Sequence, residues 1–513
     1  MKNLSADVVV VGSGAAGISA GLAASESGLK VIVLEKGAKT GGSGLFGAAG
    51  LMAYESKHQK AAGETATVQD GFETIINYTH YKSNAALARV IIGESAGTID
   101  WLEKYGLQTR LVQNCQESHH GRPNTYHEYV DKYLGFKTMY GHLVDMGASV
   151  LVETAGQSLV VGKDGKIAGI DAVGKDGVEI KITAPVVIIG TGGYGGTKEQ
   201  LAPYSEIPME YMYIMGERES VGEGIRMAVA AGADLYKLDT FQMHFAVVAP
   251  EGATFDIDAV VAGKWVWENI YLLTGLPLLW VDSNGKRFTN ELVVYDHALW
   301  ANAVYTAGGH YYFLFDDASI QKFKSHGSDI KNSFERTLTE ARNLTRKIPL
   351  AITGTVAPMP DIETELADAI AKHVAWKAPT LEKLAEQIGV DPAQLVATVT
   401  GYNKAIEDGV DALFFKPKEA LKYAVAKGPF YAVQARSNIL GTLGGIRVNE
   451  KLEALDKNRK PIAGLYAAGY DAGGLYGDSY CVTEGLTLGF AFNSGRIAGY
   501  SARDYLGAST GKS

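Results

Sequence analysis

The chain predicts an α/β fold in which a parallel-sheet, nucleotide-binding domain is split by an inserted α+β domain. Three observations lead there. "DVVVVG" (7–12) is a β-branched apolar run that ends in a glycine turn and is followed by small residues at helical spacing. Two more glycine-rich strand ends, "APVVIIGTGGYGG" (184–196) and "GLYAAGYDAGG" (464–474), lie far downstream. Between about 239 and 442 the composition changes, with Trp, Phe and Tyr clustered at 241–315.

Each element has its own reason. A continuous apolar run without alternation reads as a strand buried on both faces. "AAGISAGLAASESG" (15–28) follows as a helix, with Gly28 as its stop signal. "KVIVLEK" (30–36) is the next buried strand, so strand, glycine turn, helix and strand form a βαβ unit. "PTLEKLAEQIGVDPAQLVATVTGYNKAIEDG" (379–409) reads as two helices around a "GVDP" turn, and "GFAFNSGRIAGYSARDYL" (489–506) as a closing amphipathic helix. The expected organisation is a first domain part at 1–238, a capping domain at 239–442, and the rest of the first domain at 443–513.

Gly12, Gly14 and Gly17 make G-x-G-x-x-G at the first strand–helix junction. The first glycine permits a tight turn, the second lets backbone approach a pyrophosphate, and the third allows close helix–strand packing. The helix N-terminus adds N–H donors and a positive dipole end. Glu35, at the end of the second strand, is placed to accept from ribose hydroxyls. Glycine turns after strands are common; strand, helix and acidic residue together make this one a Rossmann-like dinucleotide site.

Composition narrows the function. The 513 residues carry a net charge of −9 with no Lys/Arg block, which excludes an electrostatic footprint for nucleic acid or anionic lipid. Two cysteines, Cys115 and Cys481, fit a reducing compartment rather than a disulfide scaffold. The N-terminal apolar run is interrupted by Asp7 and explained by the glycine pattern, so it does not read as a signal peptide. "YLLTGLPLLWV" (271–281) is too short and too broken for a membrane span. The expected location is the cytoplasm.

These stretches, with "SVGEGIRMAVAAGADL" (220–235), "GKRFTNE" (285–291), "GTLGGIRV" (441–448) and "SGRIAG" (494–499), resemble the FAD-binding fumarate reductase and succinate dehydrogenase flavoprotein superfamily. That superfamily also holds urocanate reductases and 3-ketosteroid dehydrogenases. The resemblance runs in order along nearly the whole chain. It implies FAD along the first domain and a cap over the flavin ring. It implies cofactor contacts at Gly12, Gly14, Ala15, Ala16, Gly17, Glu35, Lys36, Gly42, Ser43, Gly192, Gly469, Glu484 and Leu486. The loop "GGSGLFGAAG" (41–50) has no histidine to tether the cofactor, so FAD is expected to be non-covalent. No second dinucleotide fingerprint supports direct NAD(P)H use.

Family fumarate reductases hold a dicarboxylate with two histidines and two arginines, one arginine being the proton donor. Here the first histidine matches His244, the second falls on Gly441, the donor arginine on Tyr295, and the other arginine nearest Tyr480. "WENIYLLTG" (267–275), where the proton-relay arginine is expected, has none. Bidentate arginine suits carboxylates. A neutral tyrosine instead donates to a ketone or phenolic oxygen and can deliver a proton. By pattern alone His244 would be a core histidine and the two tyrosines packing; the motif positions make all three candidate catalytic residues. The pattern is closer to the ketosteroid dehydrogenase and enone reductase members.

The expected activity is hydride transfer between flavin and a C=C or CH–CH bond beside a carbonyl or aromatic group, in a small, weakly charged substrate. Reduction is preferred. A 3-ketosteroid-type dehydrogenase with an external acceptor is the alternative, and an inactive flavin-binding protein the third reading. The electron donor or acceptor is unidentified. "HHGRPNTYHEY" (119–129) fits no metal-ligand spacing, though His120, Arg122 or Tyr126 could wall the cleft. Arg436 is the arginine that could supply a clamp from another element.

Overall fold

A computed structural model describes residues 1–45, 50–114, 116, 119, 121–250, 252–253, 267–334, 357–480 and 483–510. Its central sheet is the predicted parallel one. Strand Val8–Val11 lies between Val31–Leu34 and Val186–Ile189, with Ser149–Leu151 and Pro461–Ala467 flanking, all parallel. An antiparallel strand, Glu453–Leu455, closes the Pro461 edge. The four central residues of each inner strand are buried, as a sheet covered on both faces requires. Helix Ala15–Glu26 covers one face and packs along the C-terminal helix Leu486–Thr510. Gly495 and Gly499 make that contact close: a Cβ on Gly495 would lie 2.1 Å from the Ala16 carbonyl oxygen.

A second sheet forms the cap. Strand Phe430–Thr442 is its spine, pairing with Phe241–Val247, His310–Asp316, Ala375–Ala378 and, in parallel, Met212–Ile214. This sheet therefore takes in residues N-terminal to position 239. Helices Leu381–Ile388 and Pro392–Asp408 occupy the predicted helix–turn–helix, the second capped by the Asp391 side chain with Pro392 at its first position. The chain is thus a Rossmann-like domain with an α+β cap.

Among the described residues three smaller sheets escaped sequence reading: a short one pairs Leu235–Tyr236 and Ala472–Gly473 with Gly445–Arg447, and two are larger. One joins Lys2–Ser5 to the meander Thr154–Val161, Ile167–Gly174 and Glu179–Thr183. The other joins Gly50–Met52, Thr109–Leu111 and Tyr126–Tyr129. Among the described residues, no helix is long and apolar enough to cross a membrane.

Candidate active site

A cavity of about 480 Å³ runs from the glycine turn of the first domain to the underside of the cap. At the turn, Gly12 has φ +101°, and a Cβ there would stand 2.1 Å from the Gly190 carbonyl oxygen. A Cβ on Gly17 would meet the Gly12 carbonyl oxygen at 2.0 Å, so this glycine lets helix and strand approach. Gly14 differs: its Cβ would meet only the Gly41 oxygen, at 3.8 Å, and any longer side chain would grow into the cavity. Gly14 is also the helix N-cap and offers no side-chain cap, so the first N–H groups are open to an anionic ligand. Glu35 accepts from Ser13 N at 3.1 Å, Ser13 Oγ at 2.5 Å and Gly37 N at 2.7 Å, which fixes its carboxylate at the cavity wall.

Asp471 holds the opposite glycine strand end. Its buried carboxylate accepts from the N–H groups of Thr191, Gly192 (3.0 Å) and Gly193 (3.3 Å) and from Thr191 Oγ1 at 3.0 Å. Burial pushes this carboxyl up to about 6, opposed by the Thr191 side chain and those N–H donors. Gly12, Gly14, Ala15, Ala16, Glu35, Lys36, Gly42, Ser43, Gly192, Gly469 and Glu484 all line the cavity. Gly17 and Leu486 do not; Gly17 packs beneath the turn and Leu486 is buried at the start of the last helix. The uncapped helix end, the open face of Gly14 and the fixed carboxylate together fit the pyrophosphate and ribose of a dinucleotide.

The cap end is aromatic. Strand Phe241–Val247 breaks register between Met243 and Ala246, and Phe245 has φ +31°. A regular strand alternates its faces; this bulge turns the neighbours His244 and Phe245 into the same cavity. His297, at the first turn of helix His297–Thr306, stands opposite, its ring centroid 5.0 Å from that of His244. Tyr480 lies 6.2 Å from His244, and Tyr271 stacks on Phe334 at 4.0 Å. Burial, reinforced by the neighbouring His297, drives the His244 pKa down to about 3; burial drives that of His297 down to about 4. Both imidazoles are therefore neutral at pH 7. Among the described residues, His244 Nδ1 and His297 Nε2 have no hydrogen-bond partner.

Behind this wall lies a buried ionic group. His119 Nδ1 is 2.9 Å from Glu484 Oε1, and its Nε2 is 3.5 Å from Asp296 Oδ2. Burial alone would lower its pKa, but contacts with Asp296 and Glu484 prevail and raise it to about 9. Gln116 links this group to the cavity: its N–H donates to Glu484 Oε1 at 2.8 Å, and its Oε1 accepts from His297 N at 2.7 Å.

Tyr295 lies elsewhere. It is buried in the cap core, outside the cavity lining, and its hydroxyl donates to the Lys331 carbonyl at 2.6 Å. The 3₁₀ turn Glu291–Tyr295 and the cap at Asp296 direct it there and bring His297 to the cavity instead. Tyr470 fills the room beside Gly441, where an added Cβ would come within 2.9 Å of its ring. Arg436 donates to the carbonyls of Glu210 and Ala249 and is not in the lining. Tyr126 lines the cavity and Arg122 does not; Cys115, His120 and Cys481 lie outside the described residues. His297, Phe245, His119 and Asp296 were missed from sequence, while Glu484 was named there as a cofactor contact. The one signal for His297 was Asp296, a helix-capping residue immediately before it.

Fold and site together define a dinucleotide-binding flavoprotein with a capped reaction cavity. Residues 7–480 match the FAD binding domain family, and the chain belongs to it. It is 30% identical to the vinyl phenol reductase of Lactiplantibacillus plantarum, over 98% of this chain and 97% of that one. It is 28% identical to a fumarate reductase (cytochrome) of Shewanella frigidimarina, over 97% of this chain and 77% of that one. The solved 3-ketosteroid Δ1-dehydrogenase of Sterolibacterium denitrificans matches with a TM-score of 0.74 at 19% identity, over 98% of this chain and 99% of that one, a likeness of fold. The protein is an FAD-dependent oxidoreductase.

Proposed function

We propose that the protein reduces a C=C bond conjugated to an aromatic ring or a carbonyl in a small, weakly charged substrate. It is an oxidoreductase of CH–CH bonds, and the vinyl phenol reductase likeness over nearly both full lengths supports an aromatic alkene. The observation that carries the reading is the character of the cap end. Its described lining includes Phe245, Tyr271, Phe334, Tyr480 and two neutral histidines, with Glu484 at the side, and contains no arginine. The described lysines of the lining, Lys36 and Lys39, belong to the nucleotide end. A dicarboxylate entering such a site leaves water without paired cations, at a cost of several kcal/mol. A phenol or enone carries its oxygen uncharged and stacks favourably on aromatic rings.

The roles follow from position. FAD held here and reduced by an external electron donor would supply the hydride. His244 and Tyr480 orient the substrate oxygen by hydrogen bonds, and the aromatic wall holds its plane and excludes water. FAD is held without a covalent bond, because the loop at 41–50 offers no histidine. The two cysteines support a cytoplasmic location.

The test uses holoenzyme reduced with dithionite under anaerobic conditions and mixed with 4-vinylphenol, 2-cyclohexenone or fumarate. The expected result is rapid flavin reoxidation by the vinylphenol or the enone and none above background by fumarate. Fumarate turnover with indifference to both others would reverse the reading. Reduction of the oxidised enzyme by a saturated ketone alone would make it a dehydrogenase.

A further inference from the structure

We propose that Glu484, His119 and Asp296 form the proton-delivery chain of the site, with Glu484 at the cavity wall and His119 as the positioning residue that holds the proton behind it. The inference rests on the reductase reading and adds the source of the proton. Three distant segments converge here. His119 comes from the loop after Thr109–Leu111, Asp296 from the cap, and Glu484 from the approach to the last helix. His119 is 2% exposed, and its two ring nitrogens face one carboxylate each, at 2.9 and 3.5 Å. Burying three ionisable groups costs more than filling the same space with apolar side chains, so packing gives no reason for the arrangement.

The neighbouring groups point the same way. His244 and His297 are the other imidazoles near these carboxylates, and both are uncharged at pH 7. Neither holds a transferable extra proton, and the Tyr295 hydroxyl is bound to the Lys331 carbonyl away from the cavity. Glu484 lines the cavity and His119 does not, so the imidazolium acts only through the carboxylate. As hydride reaches one carbon of the alkene, the adjacent carbon takes a proton. The His119 Nδ1–H bond breaks as its proton passes to the Glu484 carboxylate, and the Glu484 O–H bond so formed breaks as the new C–H bond forms. His119 is left neutral, with Asp296 Oδ2 3.5 Å from its Nε2, until solvent protons recharge it. Substrate gains one hydride and one proton, and the chain returns to its starting state.

Two measurements on FAD-loaded protein test this. The first follows ¹⁵N-histidine NMR signals with pH and needs no substrate, so its result stands whichever alkene is reduced. One histidine should keep its proton to about pH 9, and its signal should be absent from His119→Gln. The second measures reoxidation of dithionite-reduced enzyme by 4-vinylphenol across pH 6–10. In the wild type the rate should fall as pH rises through about 9. In His119→Gln and Glu484→Gln it should be lower at pH 7 by roughly the 10²–10⁴-fold typical of general acid catalysis. That alkaline limb should also be absent, with rates taken per bound FAD, and added imidazole should partly restore His119→Gln. A wild type with no histidine titrating above neutrality overturns the proposal. So does an unchanged pH profile in His119→Gln, or an alkaline limb removed by Tyr480→Phe and by neither other variant.

Discussion

The Tyr295 hydroxyl serves the Lys331 carbonyl, so Tyr295→Phe should cost about 1 kcal/mol of stability and leave substrate-driven reoxidation within a few-fold of wild type. A loss of ~10²-fold or more in stopped-flow measurements would return Tyr295 to the chemistry. Gly14 gives the opposite expectation. Gly14→Val places a branched side chain where only the Gly41 oxygen lies within 4 Å, in the path of the pyrophosphate. The purified variant should be colourless while keeping its far-ultraviolet dichroism; full flavin content would contradict the site. His119 makes a stability prediction. Its folded pKa is raised to about 9 from 6.5, so its contribution is complete below about pH 6.5 and disappears as pH rises through about 9. The difference corresponds to about 3 kcal/mol. Urea unfolding of the wild type should therefore show falling stability over this window, and His119→Gln a flatter profile.

Within the cap strand Phe241–Val247, the bulge supplies the geometry and Phe245 bears its strain. At φ +31° a non-glycine residue is in a costly region of backbone space. Phe245→Gly and Phe245→Ala remove the same ring, yet the glycine variant should be the more stable, by about 1 kcal/mol. At an ordinary strand position alanine would win, and that order in denaturant unfolding would contradict the bulge. The same feature explains a limit of the sequence reading. The buried strands at 8–11, 31–34 and 186–189 were legible because continuous β-branched runs between glycines admit few other structures. "FQMHFAV" carries no mark of a register shift, since a bulge is set by its partner strand, here Phe430–Thr442. Sequence alone therefore placed His244 at the site and left out Phe245. The helix cap at Asp296 acted similarly: one turn of 3₁₀ helix decided that His297, not Tyr295, meets the cavity.

Across the whole molecule, the nucleotide end was legible and the substrate end only partly. Glycine turns are local, so Gly12, Gly14, Glu35, Gly192 and Gly469 could be placed one strand at a time. The substrate end is assembled from residues 119, 244, 271, 297, 334, 480 and 484, whose meeting depends on how the cap sits on the first domain. What emerges there is a site without a described arginine, lined by aromatic rings and two neutral imidazoles. Its selectivity is most directly measured by titrating the oxidised holoenzyme with 4-ethylphenol and with succinate, following the flavin absorbance. Binding of these saturated compounds depends on neither the electron donor nor the direction of reaction. The account predicts a saturable spectral shift with 4-ethylphenol and none with succinate at a hundredfold higher concentration. Saturable binding of succinate, with no response to 4-ethylphenol, would contradict it.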